Sequence, residues 1–176
     1  MRAELPPPEF SRMIDVRQIT EVPLVLTANP EECRALAARF DLVAVERLEA
    51  VVALMPQGTT VTATGRLNAA WIQTCAISGE ALPQSASEPL SFCFVPAAVP
   101  RVPAEEIELS DEECDEIEYQ GTAFDVGEAV AQSLGLAIDR FAEGPDAEAA
   151  RKAAGIKSED ASGPFAALAG LKLTKD

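Results

Sequence analysis

The alternation of apolar and polar residues is strongest between Thr60 and Cys75. Val61, Ala63, Leu67, Ala69, Trp71 and Cys75 share one parity, while Thr60, Thr62, Thr64, Arg66 and Asn68 share the other. Side chains of a strand alternate between its two faces, so this run predicts a half-buried antiparallel strand with one dry and one wet face. Gly65 interrupts the run and marks an expected bulge or bend. Ser78-Gly79 and Pro83 close a loop, and Gln84–Val95 is predicted to return with Leu90, Phe92 and Phe94 on one face. Upstream, Leu48–Met55 reads as a strand ended by Pro56 and Gly58. These three segments form a predicted meander. Phe10–Ile19 and Glu21–Leu26 are shorter extended candidates.

Two stretches switch to helical spacing. Asn29 is a suitable N-cap, Pro30 occupies the first helical position, and Glu32 can complete a capping box. The helix is predicted to run to Phe40, with Cys33, Leu36, Ala37 and Phe40 on one stripe. A second helix is predicted from Asp125, with Val126, Val130, Leu134, Ala137 and Ile138 inward. Gly127 and Gly135 each weaken it by up to ~1 kcal/mol relative to alanine, so packing must hold it. The expected fold is α+β: an antiparallel β-sheet, able to curl toward a barrel, covered by two helices and followed by a flexible C-terminal tail. One domain is expected over residues 1–141, including an acidic loop at 104–118 whose end, Glu116–Tyr119, re-enters the sheet. Residues 142–162 offer little to bury and read as a flexible tether. Residues 163–172 then read as a short helical motif, with Phe165, Leu168 and Leu171 on one face and Lys172 at a slightly basic end.

Charge narrows the partners. There are 14 basic and 29 acidic residues among 176, a formal net charge of −15. Binding to phosphate backbones gains from counterion release by Lys and Arg. A chain this acidic therefore disfavours nonspecific RNA binding and favours a basic surface, such as that of a ribosomal protein. There is no histidine, which excludes imidazole acid–base catalysis, His-containing triads and His metal ligands. No apolar run approaches the ~20 residues that span a bilayer, and Met1–Phe10 lacks the apolar core of an export signal. A cytoplasmic, reducing location without membrane partners is expected.

The remaining chemistry is sparse. Cys33, Cys75, Cys93 and Cys114 contain no C-x-x-C pair, so buried structural thiols are favoured over a zinc site. Asp111, Glu112, Glu113 and Asp115 have the wrong spacing for a calcium loop and no central glycine. They read as a solvated segment suited to docking a basic partner. Trp71, the one tryptophan, is expected in the core, with base stacking as its functional alternative. Arg66 and Asn68 stand on the wet face of the same strand, where they can touch a phosphate or simply form an ordinary solvated sheet face. Phe165, Leu168, Leu171 and Lys172 serve equally as a linear partner motif or as a cover over an apolar patch of the same chain. No phosphate loop, dinucleotide fingerprint or RNA-recognition signature occurs.

Three stretches nevertheless have a known likeness. Val61–Val95 leads through Thr-Cys-Ala-Ile-Ser-Gly-Glu-Ala-Leu-Pro to Phe-Cys-Phe-Val-Pro; Glu116–Asp139 runs from acidic residues into a Glu-, Leu- and Ala-rich helix; Gly163–Lys172 reads Gly-Pro-Phe-Ala-Ala-Leu-Ala-Gly-Leu-Lys. In this order and spacing the chain resembles the large ribosomal RNA subunit accumulation protein family, the YceD group. Many relatives carry C-x-x-C in the turn, where this chain has Ser78, and Gly163 stands where Asn is frequent. The resemblance implies a non-enzymatic, cofactor-free role in synthesis, processing or stability of large-subunit (23S) ribosomal RNA during ribosome biogenesis. Pre-ribosomal large-subunit RNA or a basic ribosomal protein is the implied partner. An acidic chaperone that binds a basic ribosomal protein without touching RNA is the alternative.

Overall fold

The dipeptide Ser11-Arg12 organises both helices of the larger part of the chain. In the computed structural model, which describes residues 8–97 and 115–155, its groups reach two helix N-termini. The first helix, α1, spans Pro30–Phe40 and the second, α2, spans Val126–Ala137. Asn29 accepts the N–H groups of Glu31 and Glu32, and Glu32 accepts the Asn29 N–H in return, completing the expected capping box. Arg12 then clamps Glu32 with two N–H···O bonds of 2.7 and 3.0 Å. The Arg12 N–H and the Ser11 hydroxyl both donate to Asp125, which caps α2 by accepting from Glu128 N–H. At the other end of α1, Arg39 bridges Glu9 and Glu128. Asp41 ends that helix in the left-handed region at φ 56°.

The chain divides into two compact units, one of residues 1–73 with 83–139 and one of residues 74–82 with 140–176. The strands are β1 (Met13–Asp15), β2 (Leu24–Thr27), β3 (Ala44–Gln57), β4 (Thr60–Thr74), β5 (Ala81–Pro96), β6 (Asp115–Tyr119) and β7 (Ala123–Asp125). Five of them form one sheet in the order β2-β3-β4-β5-β6, and β1 pairs antiparallel with β7 in a second. β2 with β3 and β3 with β4 are antiparallel. Residues 75–80 between β4 and β5 are too few for a crossover and suffice only for a hairpin return. β6 lies parallel to β5, from Phe92 opposite Asp115 to Pro96 opposite Tyr119. The class is α+β, as expected, but the sheet stays open, with β2 and β6 as its edges, and does not close into a barrel.

Parity decides which face is buried. Val61, Ala63, Leu67, Ala69 and Trp71 of β4 point into the core with Leu90, Phe92 and Phe94 of β5. Phe94 stacks on Phe124 with ring centroids 4.3 Å apart, and Leu36, Leu48, Val126, Val130 and Leu134 close the core around them. Gly65 is not a bulge. It stays in register with Val52, and a Cβ there would lie 2.0 Å from the Val51 carbonyl oxygen. Close backbone approach is what excludes a side chain. The register shift lies elsewhere, between Val45 and Arg47. Gly127 of α2 has the same kind of reason, since a Cβ there would meet the Phe10 carbonyl at 2.5 Å, whereas one at Gly135 would meet the Phe40 side-chain ring at 2.7 Å. In the second unit a third helix, α3, spans Ala147–Ala153, inside the stretch expected as a tether. Ala147 is buried there, and Arg151 pairs with Glu143 and Glu148. Small helix-forming residues with local ion pairs formed an element where apolar content alone predicted none.

Candidate functional site

Three regions carry the chemistry. The first is the uncovered face of β2–β4. Antiparallel neighbours share a face, so Val25, Val51 and Arg66 form one row across three strands. Val25 is 74% exposed and Val51 47%. Arg66 is exposed and donates to the Ser87 carbonyl and hydroxyl, both at 3.3 Å. Its position on the wet face agrees with its parity, and among the described residues it has no carboxylate partner.

Trp71 lies on the opposite face and cannot share a contact surface with Arg66. It is 3% exposed, and its indole N–H donates to Gln73 Oε1 at 2.8 Å. A ring this buried offers no face for a base, so core packing replaces the stacking alternative. Gln73, the one buried polar side chain among the described residues, passes the connection on through Nε2 to the Asp139 carbonyl at 2.7 Å. A buried amide left unpaired would cost ~1–3 kcal/mol; here both its donor and its acceptor are used. Parity flags Gln73 as the polar residue on a dry face, a signal that was present in the sequence.

The second region is the turn after β4. The Cys75 N–H donates to the Glu80 carbonyl at 2.8 Å, and Gly79, at φ 76°, returns an N–H to the Cys75 carbonyl at 3.1 Å. The Cys75 sulfur accepts the N–H of Gly144 at 3.2 Å and that of Ser78 at 3.4 Å. These donors, Gly144 first, stabilise the thiolate and hold its pKa down at about 6. The residue is only 3% exposed, so its sulfur is shielded from solution reagents. Backbone donors leave no mark in residue type, so the sequence marks Cys75 only as a buried thiol. Burial pushes the Cys33 thiol the other way, upward. Among the described residues no group of three or more Cys, Asp or Glu gathers to hold a metal ion.

The third region is a groove of about 580 Å³ between α1 and the start of β3. Cys33, Arg34, Ala37 and Ala38 form one wall and Leu42–Glu46 the other. Of the acidic residues expected to contact a partner, Asp115 is exposed at the start of β6. Asp111, Glu112, Glu113, Phe165, Leu168, Leu171 and Lys172 lie outside the described residues. No described helix is long and apolar enough to cross a membrane.

The geometry defines an open-sheet α+β protein with a turn whose backbone N–H groups converge on the Cys75 sulfur and a groove along α1 and the start of β3. Comparison with family models, with curated proteins and with solved structures finds no match.

Proposed function

We propose that the chain is a non-enzymatic, cytoplasmic factor that supports accumulation of large-subunit ribosomal RNA, and that it acts by holding a partner. The observation that carries this reading is the ordered set of three resembling stretches, Val61–Val95, Glu116–Asp139 and Gly163–Lys172. The first folds as the β4–β5 hairpin with Cys75 in its turn, and the second as β6, β7 and α2. These two resembling stretches thus cover whole structural units, and Gly163–Lys172 lies outside the described residues. Depletion of the protein is expected to lower large-subunit RNA relative to small-subunit RNA; an unchanged ratio would refute the reading.

The net charge of −15 favours a second version, in which the immediate partner is a basic ribosomal protein and RNA is not touched. Affinity capture with and without nuclease separates the two. Partners that survive nuclease support protein contact, and partners lost with the RNA support direct RNA contact.

A further inference from the structure

β6 is the last strand of the five-stranded sheet, and no strand lies against its outer edge among the described residues. Its register with β5 advances one residue at a time, from Asp115 opposite Phe92 to Tyr119 opposite Pro96, so β6 carries no bulge. It contains no proline either. The Ala97 N–H donates to the Tyr119 carbonyl at 2.8 Å, so the Tyr119 backbone faces β5. In a strand the N–H and C=O of one residue point to the same side, and successive residues point to opposite sides. Asp115 and Ile117 therefore face β5 with Tyr119. Glu116 and Glu118 turn their N–H and C=O groups outward, to the free edge. An edge of this kind presents backbone donors and acceptors to any chain that can lie along it. At ~3.3 Å per residue the five residues of β6 offer roughly 16 Å of it.

We propose that this edge takes an extended basic segment of a protein partner, added as a further strand, with lysine or arginine beside Glu116 and Glu118 and an aliphatic residue beside Ile117. The proposal rests on the protein-binding version of the function above and names its surface. Strand addition draws affinity from backbone bonds and specificity from alternate side chains. Side chains alternate between the faces of a strand. Glu116 and Glu118, opposite Cys93 and Val95, stand on the face away from the core, and Ile117 packs against the core. Charge selects the occupant. Asp115, Glu116 and Glu118 are exposed and form no ion pair among the described residues. The sequence holds no lysine or arginine between Arg101 and Arg140 that could offset them locally. Opposite charges on neighbouring strands stabilise the pairing and like charges oppose it. An antiparallel second copy centred on Ile117 would set Glu116 against Glu118 twice. An acidic segment or a phosphate backbone meets the same repulsion.

The test titrates the isotope-labelled full chain with a blocked peptide of alternating lysine and valine and follows backbone amides by NMR. Shifts concentrated at residues 115–119, largest at the Glu116 and Glu118 N–H groups, are expected. N-methylation of the lysine nitrogens or of the valine nitrogens gives two further peptides. Only one set of nitrogens faces β6, so one form should bind about tenfold or more weakly while the other keeps its affinity. Glu116→Gln with Glu118→Gln, both exposed, should weaken binding by about fivefold or more and leave the melting temperature unchanged. The proposal is overturned if the lysine–valine peptide moves no amides in β6, if both N-methylated forms bind equally well, or if a glutamate–valine peptide binds as tightly. It also falls if single-stranded polyuridylate moves the same amides, if dilution alone moves them, or if Lys172→Glu moves them without peptide. No binding at β6 together with a lowered RNA ratio on depletion refutes the edge and leaves the proposed function standing; binding at β6 with an unchanged ratio does the reverse.

Discussion

At the residue scale, Cys75 links local geometry to a measurable pH dependence. Its thiol titrates near 6 in the folded chain against an ordinary value of 9. Folding therefore favours the deprotonated form. The resulting stabilisation is complete above pH 9, declines as pH falls, and is gone below about pH 6. Cys75→Ser removes the ionisable group, so the melting-temperature gap between wild type and variant should widen from pH 6 to pH 9 and stay flat below. Thermal melts across that range, with thiolate absorbance as a second readout, check it; a gap independent of pH would mean the sulfur is held as a neutral thiol. The burial of Cys75 adds that alkylation of the folded protein should be slow despite the lowered pKa, because reactivity needs access as well as charge.

At the element scale, α1 depends on its cap. Asn29 accepts two N–H groups at 2.8 and 2.9 Å, and it orients Glu32, which Arg12 also grips. Asn29→Ala should cost ~1 kcal/mol, the usual value for a lost N-cap, and lower the melting temperature by ~3 °C for a chain of this length. Asn29→Asp keeps an acceptor and should recover most of the loss; equal loss in both variants would show that the cap is not what stabilises the helix. This element is legible in the sequence, because Asn29, Pro30 and Glu32 lie within four residues and their chemistry is local. The meander was legible for a related reason, since a dry and a wet parity leave one register open to β4. Four features were not. The parallel placement of β6, the role of Gly65, the donors to Cys75 and the free edge of β6 all depend on contacts between distant segments. The predicted Leu48–Met55 strand starts four residues late, and the groove lies beside those missing residues. Val45 and Glu46 fall outside the predicted strand because the register shift between Val45 and Arg47 breaks the alternation there.

At the scale of the whole molecule, charge decides how partners arrive. A net −15 produces a field that attracts a basic ligand over distances set by the Debye length, ~10 Å at 0.1 M salt and ~3 Å at 1 M. Steering of this kind acts on association far more than on dissociation. The ionic groups inside the fold behave differently: Arg12 with Glu32 and Arg39 with Glu128 are partly buried and hydrogen-bonded, so added salt screens them less. Stability and binding should therefore separate under salt. For a purified basic ribosomal protein, the association rate should fall by ~10-fold or more as salt rises from low to molar concentration. The dissociation rate and the melting temperature should change little. Stopped-flow binding beside thermal melts in the same buffers makes the comparison. An association rate that ignores salt would mean that the acidic surface is only a solubility device, and that recognition is carried by the exposed apolar row of Val25 and Val51 instead.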